Sequence, residues 1–186
     1  MPTKVVSVFN WFIVALVLGL TMVARAEAEG TARSTGVAEL FGLPLNDLSV
    51  ARLEKQLNAM GLRSYPSYKD GVISYSLGPE GILGVTSATI YTNGSGYIRQ
   101  ALLAGVVESS EKRKELGNLL ARKYGSPSEG FLNNGIGRSK WYFADGTMIE
   151  LHNTTYDVSL MYVDEKPKVA TSSGKIDVEA LSRKYQ

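Results

Sequence analysis

The chain has no cysteine and one histidine, His152, among its 186 residues. The first absence excludes disulfides, thiolate metal centres, cysteine nucleophiles and lipid attachment to a cysteine. The second excludes any metal site that needs several imidazoles. Charge of one sign is missing as well. The sequence carries 20 Lys+Arg against 18 Asp+Glu. Two of the basic residues, Lys4 and Arg25, stand in an N-terminal segment treated below, and the rest of the chain holds 18 of each sign. A balanced chain offers no electrostatic footprint for nucleic acid. No motif implies a cofactor.

What is present begins with an address. Lys4 precedes an apolar run from Val5 to Val23, broken by Ser7, Asn10 and Thr21, and Ala24-Arg25-Ala26 follows. A basic residue, an apolar stretch and small residues at the cleavage positions together read as a secretory signal peptide over 1–26, cut after Ala26. The alternative is an uncleaved anchor, since the 19 residues of the run approach the length that spans a bilayer. It would be the chain's one attachment to a membrane. Export without disulfides fits a periplasm better than a eukaryotic secretory route. The remaining chain, 27–186, is long enough to bury roughly 70% of its unfolded surface in one core.

Residues 27–37 are small and polar and read as a flexible lead-in. One domain is expected over 38–163, with a tail over 164–186. Helix one is expected from Ser49, its cap, to Met60, with Val50, Leu53, Leu57 and Met60 on one stripe and Gly61 as the stop. Strands follow at 71–77, 85–92 and 97–104, the last two joined by Asn93-Gly94-Ser95-Gly96. Helix two runs from Ser109 or Ser110 to Tyr124 and is closed by Gly125 and Pro127. The stretch 129–138, rich in Gly and Asn, reads as a loop. The tail begins polar and mobile, and its end carries Ile176, Val178, Leu181 and Tyr185 at helical spacing.

The clearest pattern is Ser139 to Val163, read as a three-strand meander. Asp145-Gly146 marks its first turn, and a three-residue loop there sets Trp141 opposite Ile149 and Lys140 opposite Glu150. For the second turn, pairing Leu151 with Val158 and Ile149 with Leu160 keeps apolar side chains together. Trp141, Phe143, Ile149, Leu151, Val158, Leu160 and Tyr162 then form a core face. The expected fold is α+β: a single antiparallel sheet from two α-β-β-β modules, 38–107 and 108–163, with both helices on one face.

The opening "LFGLPLNDLSVARLEKQLNAMG", followed by strands and then by a second helix with strands, resembles the tandem organisation of β-lactamase-inhibitor-like proteins and small outer-membrane assembly lipoproteins. That resemblance implies a periplasmic, non-enzymatic protein acting by protein–protein contact. The lipoproteins carry an acylated cysteine that this chain lacks, so it does not imply their membrane anchor.

Catalytic motifs are sparse. Ser109-Ser110-Glu111-Lys112 has the Ser-x-x-Lys spacing of some acyltransferases, but a serine at a helix start ordinarily caps it. The chosen register places Lys140, Tyr142, Met148, Glu150, His152, Asp157 and Met161 on or beside the face opposite the core. Aromatic and methionine side chains within a charged rim suit a partner-binding surface. His152 is expected across from Asp157 and near Glu150. It then serves as a hairpin cap, as a pH-sensitive contact whose imidazolium a carboxylate favours, or as one ligand of a poor metal site. The function expected is an exported, non-enzymatic binding or assembly module that contacts another envelope protein. The alternatives are an inhibitor of an envelope or secreted enzyme and a hydrolase using carboxylates such as Glu150 and Asp157. No catalytic or metal-binding residue is assigned.

Overall fold

A computed structural model describes residues 34, 36–65 and 67–169. The expected signal segment with its cleavage point, most of the lead-in and the helical end of the tail lie outside them. Among the described residues no helix is long and apolar enough to cross a membrane.

The chain opens with a ribbon, β1 (Glu39–Leu40) against β2 (Leu43–Pro44), turning through Phe41 and Gly42 at φ of 50° and 79°. Glycine adopts that geometry freely, whereas for Phe41 it costs about 1–2 kcal/mol. The ring offsets part of the cost by packing against the core. Ser49 caps α1 (Val50–Ala59), its hydroxyl accepting the Arg52 N–H, and Leu53 and Leu57 face inward. Four strands follow: β3 (Ser64–Tyr65), β4 (Val72–Ser76), β5 (Ser87–Thr92) and β6 (Ile98–Val106). Between β5 and β6 the Asn93 side chain accepts the N–H groups of Ser95 and Tyr97, both at 3.0 Å, and so fixes the turn.

Ser109 caps α2 (Ser110–Tyr124) by accepting the Lys112 N–H at 3.2 Å. Glu111 in the first turn and Arg122 and Lys123 in the last complement the helix dipole. Gly125 at φ 80° ends the helix. Four more strands complete the chain: β7 (Glu129–Asn133), β8 (Ile136–Tyr142), β9 (Thr147–Asn153) and β10 (Asp157–Asp164). The strands beyond the ribbon form one eight-stranded antiparallel sheet in the order β3-β4-β5-β6-β10-β9-β8-β7. Each helix therefore precedes a four-strand meander, and the meanders meet where β6 pairs with β10, from Val106↔Asp157 to Gln100↔Val163.

This overturns the expected single sheet of two α-β-β-β modules. The ribbon is a separate two-stranded sheet, and four strands follow each helix rather than three. Two signals were misread. β3 is only two residues long. The 129–138 stretch is a hairpin whose two-residue turn, Asn134-Gly135, has both residues at positive φ (50° and 80°). Asn-Gly between strands is the strongest short hairpin signal, yet Gly130 and Gly137 beside it imitate a loop.

The inward face of the sheet forms continuous apolar rows. One runs Ile73, Ile90, Ala101, Tyr162, Ile149, Trp141 across β4, β5, β6, β10, β9 and β8. The next runs Tyr75, Ala88, Leu103, Leu160, Leu151. Leu53 and Leu57 of α1 and Leu116, Leu120 and Tyr124 of α2 join the same core. Fully burying side chains of this size stabilises by about 1.5–3 kcal/mol each. Trp141, fully buried, donates its indole N–H to the Gly125 carbonyl at 3.0 Å.

The first turn of the meander has the expected register, with Trp141 opposite Ile149 and Lys140 opposite Glu150. The second is shifted by two residues: Leu151 pairs with Leu160 and Ile149 with Tyr162. An even shift leaves every side chain on its face, so apolar matching cannot distinguish the two registers. The fully buried Asn153 holds the longer one. Its amide donates to the carbonyls of Arg113 at 2.8 Å and Gly135 at 2.9 Å, which fastens the end of β9 to α2 and to the β7–β8 turn.

The start of the tail is pinned, contrary to the expected mobility. The buried Asp164 accepts the N–H groups of Asp47 and Lys166. Lys168 donates its N–H to the Asp47 carboxylate at 2.8 Å, and its carbonyl accepts from Asn93 at 2.9 Å.

Candidate functional site

Among the described residues, the outward face of the eight-stranded sheet is a broad surface that α1, α2 and the ribbon leave uncovered, because their buried side chains all belong to the inward core. Strand pairing arranges its side chains in three rows. The first, Val72, Tyr91, Gln100, Val163, Met148, Tyr142, crosses six strands and is apolar or aromatic except for Gln100. The second runs Ser74, Thr89, Leu102, Met161, Glu150, Lys140, Glu129, apolar at the centre and alternating in charge toward β7. The third runs Ser76, Ser87, Ala104, Ser159, His152, Arg138, Phe131. Small side chains in its middle leave a shallow trough that His152, Thr155 and Asp157 also line.

The rows join chemically where they touch. The Gln100 amide donates to the Met161 thioether at 3.1 Å, so the polar member of the first row is turned onto its neighbour. Most of these side chains are half-buried by each other. Burial pushes the Tyr142 phenol up from its ordinary range; Lys140 opposes the shift, and Glu129 and Glu150 add to it. The hydroxyl therefore stays protonated, able to donate at the edge of the apolar row. At the β7 edge, Phe131 stands 71% exposed beside Arg138.

Six of the seven expected surface residues, Lys140, Tyr142, Met148, Glu150, His152 and Met161, fall in these rows. Glu150 pairs with both Lys140 and Met161, and Met148 with Tyr142. Asp157 stands beyond the ends of these rows on the same face, exposed at the start of β10 and opposite Val106 of β6, where it lines the trough with His152 without pairing with it. The expected apposition of His152 and Asp157 is thus replaced: His152 pairs with Ser159 and Arg138. Arg138 Nη2 lies 3.2 Å from His152 Nδ1, and Thr154 Oγ1 lies 3.0 Å from Nε2. A guanidinium only donates, so Nδ1 accepts and Nε2 carries the proton toward Thr154. The neighbour of the imidazole is a cation, not the expected carboxylate. Among the described residues no group of three His, Asp or Glu side chains is arranged to hold a metal ion.

Val72, Tyr91, Gln100, Leu102, Val163 and Arg138 belong to the same surface and were missed. Alternation within each strand already separated the faces. What sequence could not supply was the β6–β10 pairing, which brings β4, β5 and β6 alongside the second meander.

The serine of the Ser-x-x-Lys spacing, Ser109, is occupied as the α2 cap and bonded to Glu111, and Lys112 pairs with Glu80 at 3.3 Å. No protein-family model matches the chain, and neither a curated protein nor a solved structure does.

Proposed function

We propose that this protein is an exported, non-catalytic binding or assembly module that engages another envelope protein through the outward face of its sheet. The observation that carries the reading is the row of Val72, Tyr91, Gln100, Val163, Met148 and Tyr142, apolar or aromatic except for Gln100, laid across six strands beside the alternating charges of Glu129, Lys140 and Glu150. Aromatic and methionine side chains at the centre with charge at the rim are the composition of protein interfaces. Twisted strands also present them on a broad, gently curved surface rather than in a cleft. The N-terminal segment supports export to a periplasm, and the order of a helix and four strands, given twice, supports an origin by internal duplication. The resemblance to tandem periplasmic inhibitors and assembly lipoproteins points the same way.

The test is crosslinking in the native cells followed by mass spectrometry, with wild type and a Tyr142→Ala, Met161→Ala double variant. Wild type should capture one abundant envelope protein through Lys140. The double variant should lose the capture while its thermal midpoint stays within a few degrees, because both side chains lie on the half-buried outward face. Undiminished capture by the variant would sink the sheet-face reading. A captured enzyme whose activity falls on binding would make the module an inhibitor.

A further inference from the structure

The inward side of the sheet holds a second feature. Between α2 and the β1–β2 ribbon a cavity of about 190 Å³ lies over the seam where β6 meets β10. Leu103, Leu160 and Tyr162 line it from the sheet, Leu116 and Leu120 from α2, and Ile82 from the β4–β5 connection. Its origin is geometric. α2 follows β6 in sequence but leans toward β8 and β9, and at the seam Tyr162 lies opposite the small Ala101.

Four polar side chains line the cavity, Glu39, Lys123, Tyr124 and Tyr162. Glu39 and Lys123 pair with each other at 2.7 Å, so neither charge is free for a ligand ion. Tyr124 is also occupied, its hydroxyl accepting the Glu39 N–H at 3.2 Å. Tyr162 differs. It is 6% exposed, it lines the cavity, and among the described residues its hydroxyl has no hydrogen-bond partner. With the other three taken up, this hydroxyl is the lining group left to bond a ligand, in a space whose walls are otherwise mainly apolar.

We infer that this cavity is a binding site for a small, uncharged, mainly apolar molecule bearing one hydrogen-bond acceptor, which the Tyr162 hydroxyl recognises. The size fits, since an apolar cavity of about 150 Å³ takes up benzene. Carboxylates are disfavoured because the Glu39–Lys123 pair leaves no free cation to neutralise one in a mainly apolar space. Burial, together with Tyr124 and Glu39, pushes the Tyr162 phenol far up, so it remains a donor throughout the working pH range. The site is on the face opposite the proposed partner surface, and the two can be tested separately.

The probes are acetophenone and α-methylstyrene, which share a skeleton and differ in carrying C=O or C=CH2. Methyl-resolved NMR titrations of wild type should show saturable shifts at Leu103, Leu116 and Leu160. Acetophenone should bind roughly five-fold more tightly than α-methylstyrene, the advantage of one net hydrogen bond. In Tyr162→Phe, which keeps the ring, the two probes should bind equally. Absence of saturable shifts with either probe, equal binding by wild type, or a preference that survives Tyr162→Phe each overturns the proposal.

Discussion

Tyr162 couples one side chain to the stability of the whole chain. Burial raises its phenol from the ordinary value of 10.0, with Tyr124 and Glu39 adding to the rise, so the folded protein holds it neutral where an unfolded chain would ionise it. A folded pKa above the unfolded one contributes stability that is complete below pH 10 and is lost as pH rises past that value. Between pH 9 and pH 11 the unfolded state gains the free energy of ionising one phenol, about 1.4 kcal/mol. Stability from urea titrations should therefore fall by about that much more for wild type than for Tyr162→Phe over this interval. Equal losses in the two proteins would mean that the hydroxyl ionises freely in the fold. His152 gives the opposite lesson at the same scale. Its identity marked it as the residue to weigh, but its ring is taken up by Arg138 and Thr154. The two-residue shift between β9 and β10 replaced Asp157 by Ser159, and Arg138 came from the start of β8, in a stretch that reads as a loop.

Elements show what the sequence made legible. Both helices were readable because a serine cap, an apolar stripe and a terminal glycine coincide, and the Ser49 and Ser109 hydroxyls accept the N–H groups these caps require. The faces of β8, β9 and β10 followed from alternation. The β7–β8 hairpin was hidden because its glycines serve a close approach rather than a loop. Gly117 of α2 packs against Gly135 of the hairpin turn so tightly that a Cβ would overlap the Gly135 carbonyl, and Gly135 sits in the same way on Lys114. Helix and hairpin are thus docked backbone to backbone, an arrangement with no periodic signature. Gly117→Ala separates two effects. Alanine favours the helix by about 1 kcal/mol, whereas forcing extra volume into a packed contact costs about 1–3 kcal/mol, and a backbone carbonyl cannot rotate away. A lowered urea midpoint, with a net loss of up to about 2 kcal/mol, is expected. A raised midpoint would mean that α2 stands off the turn.

At the scale of the molecule the question is whether the two meanders are one folding unit. Sheet order was the least legible feature, because β6 and β10 are separated by α2 and three strands and either meander could have ended at an edge. Three sets of contacts argue that neither half is independent. The seam pairs seven residues of β6 with seven of β10. The ribbon that precedes α1 is bonded to α2 through Glu39, Lys123 and Tyr124. The segment entering α1 is tied to the second meander by Asn46 to Asp145 and by Asp47 to Asp164. A half cut at residue 107 would expose the β6 edge together with the inward side chains of Leu103 and Ala101, which is a poor state for a soluble monomer. In residues 27–186 Trp141 is the single tryptophan, and it reports on the second meander alone, whereas far-ultraviolet circular dichroism reports on both. The two signals should follow one coincident urea transition. If Trp141 unfolded at a different midpoint, the seam would be a boundary between domains, and the outward face would be a surface that separation of the halves could break.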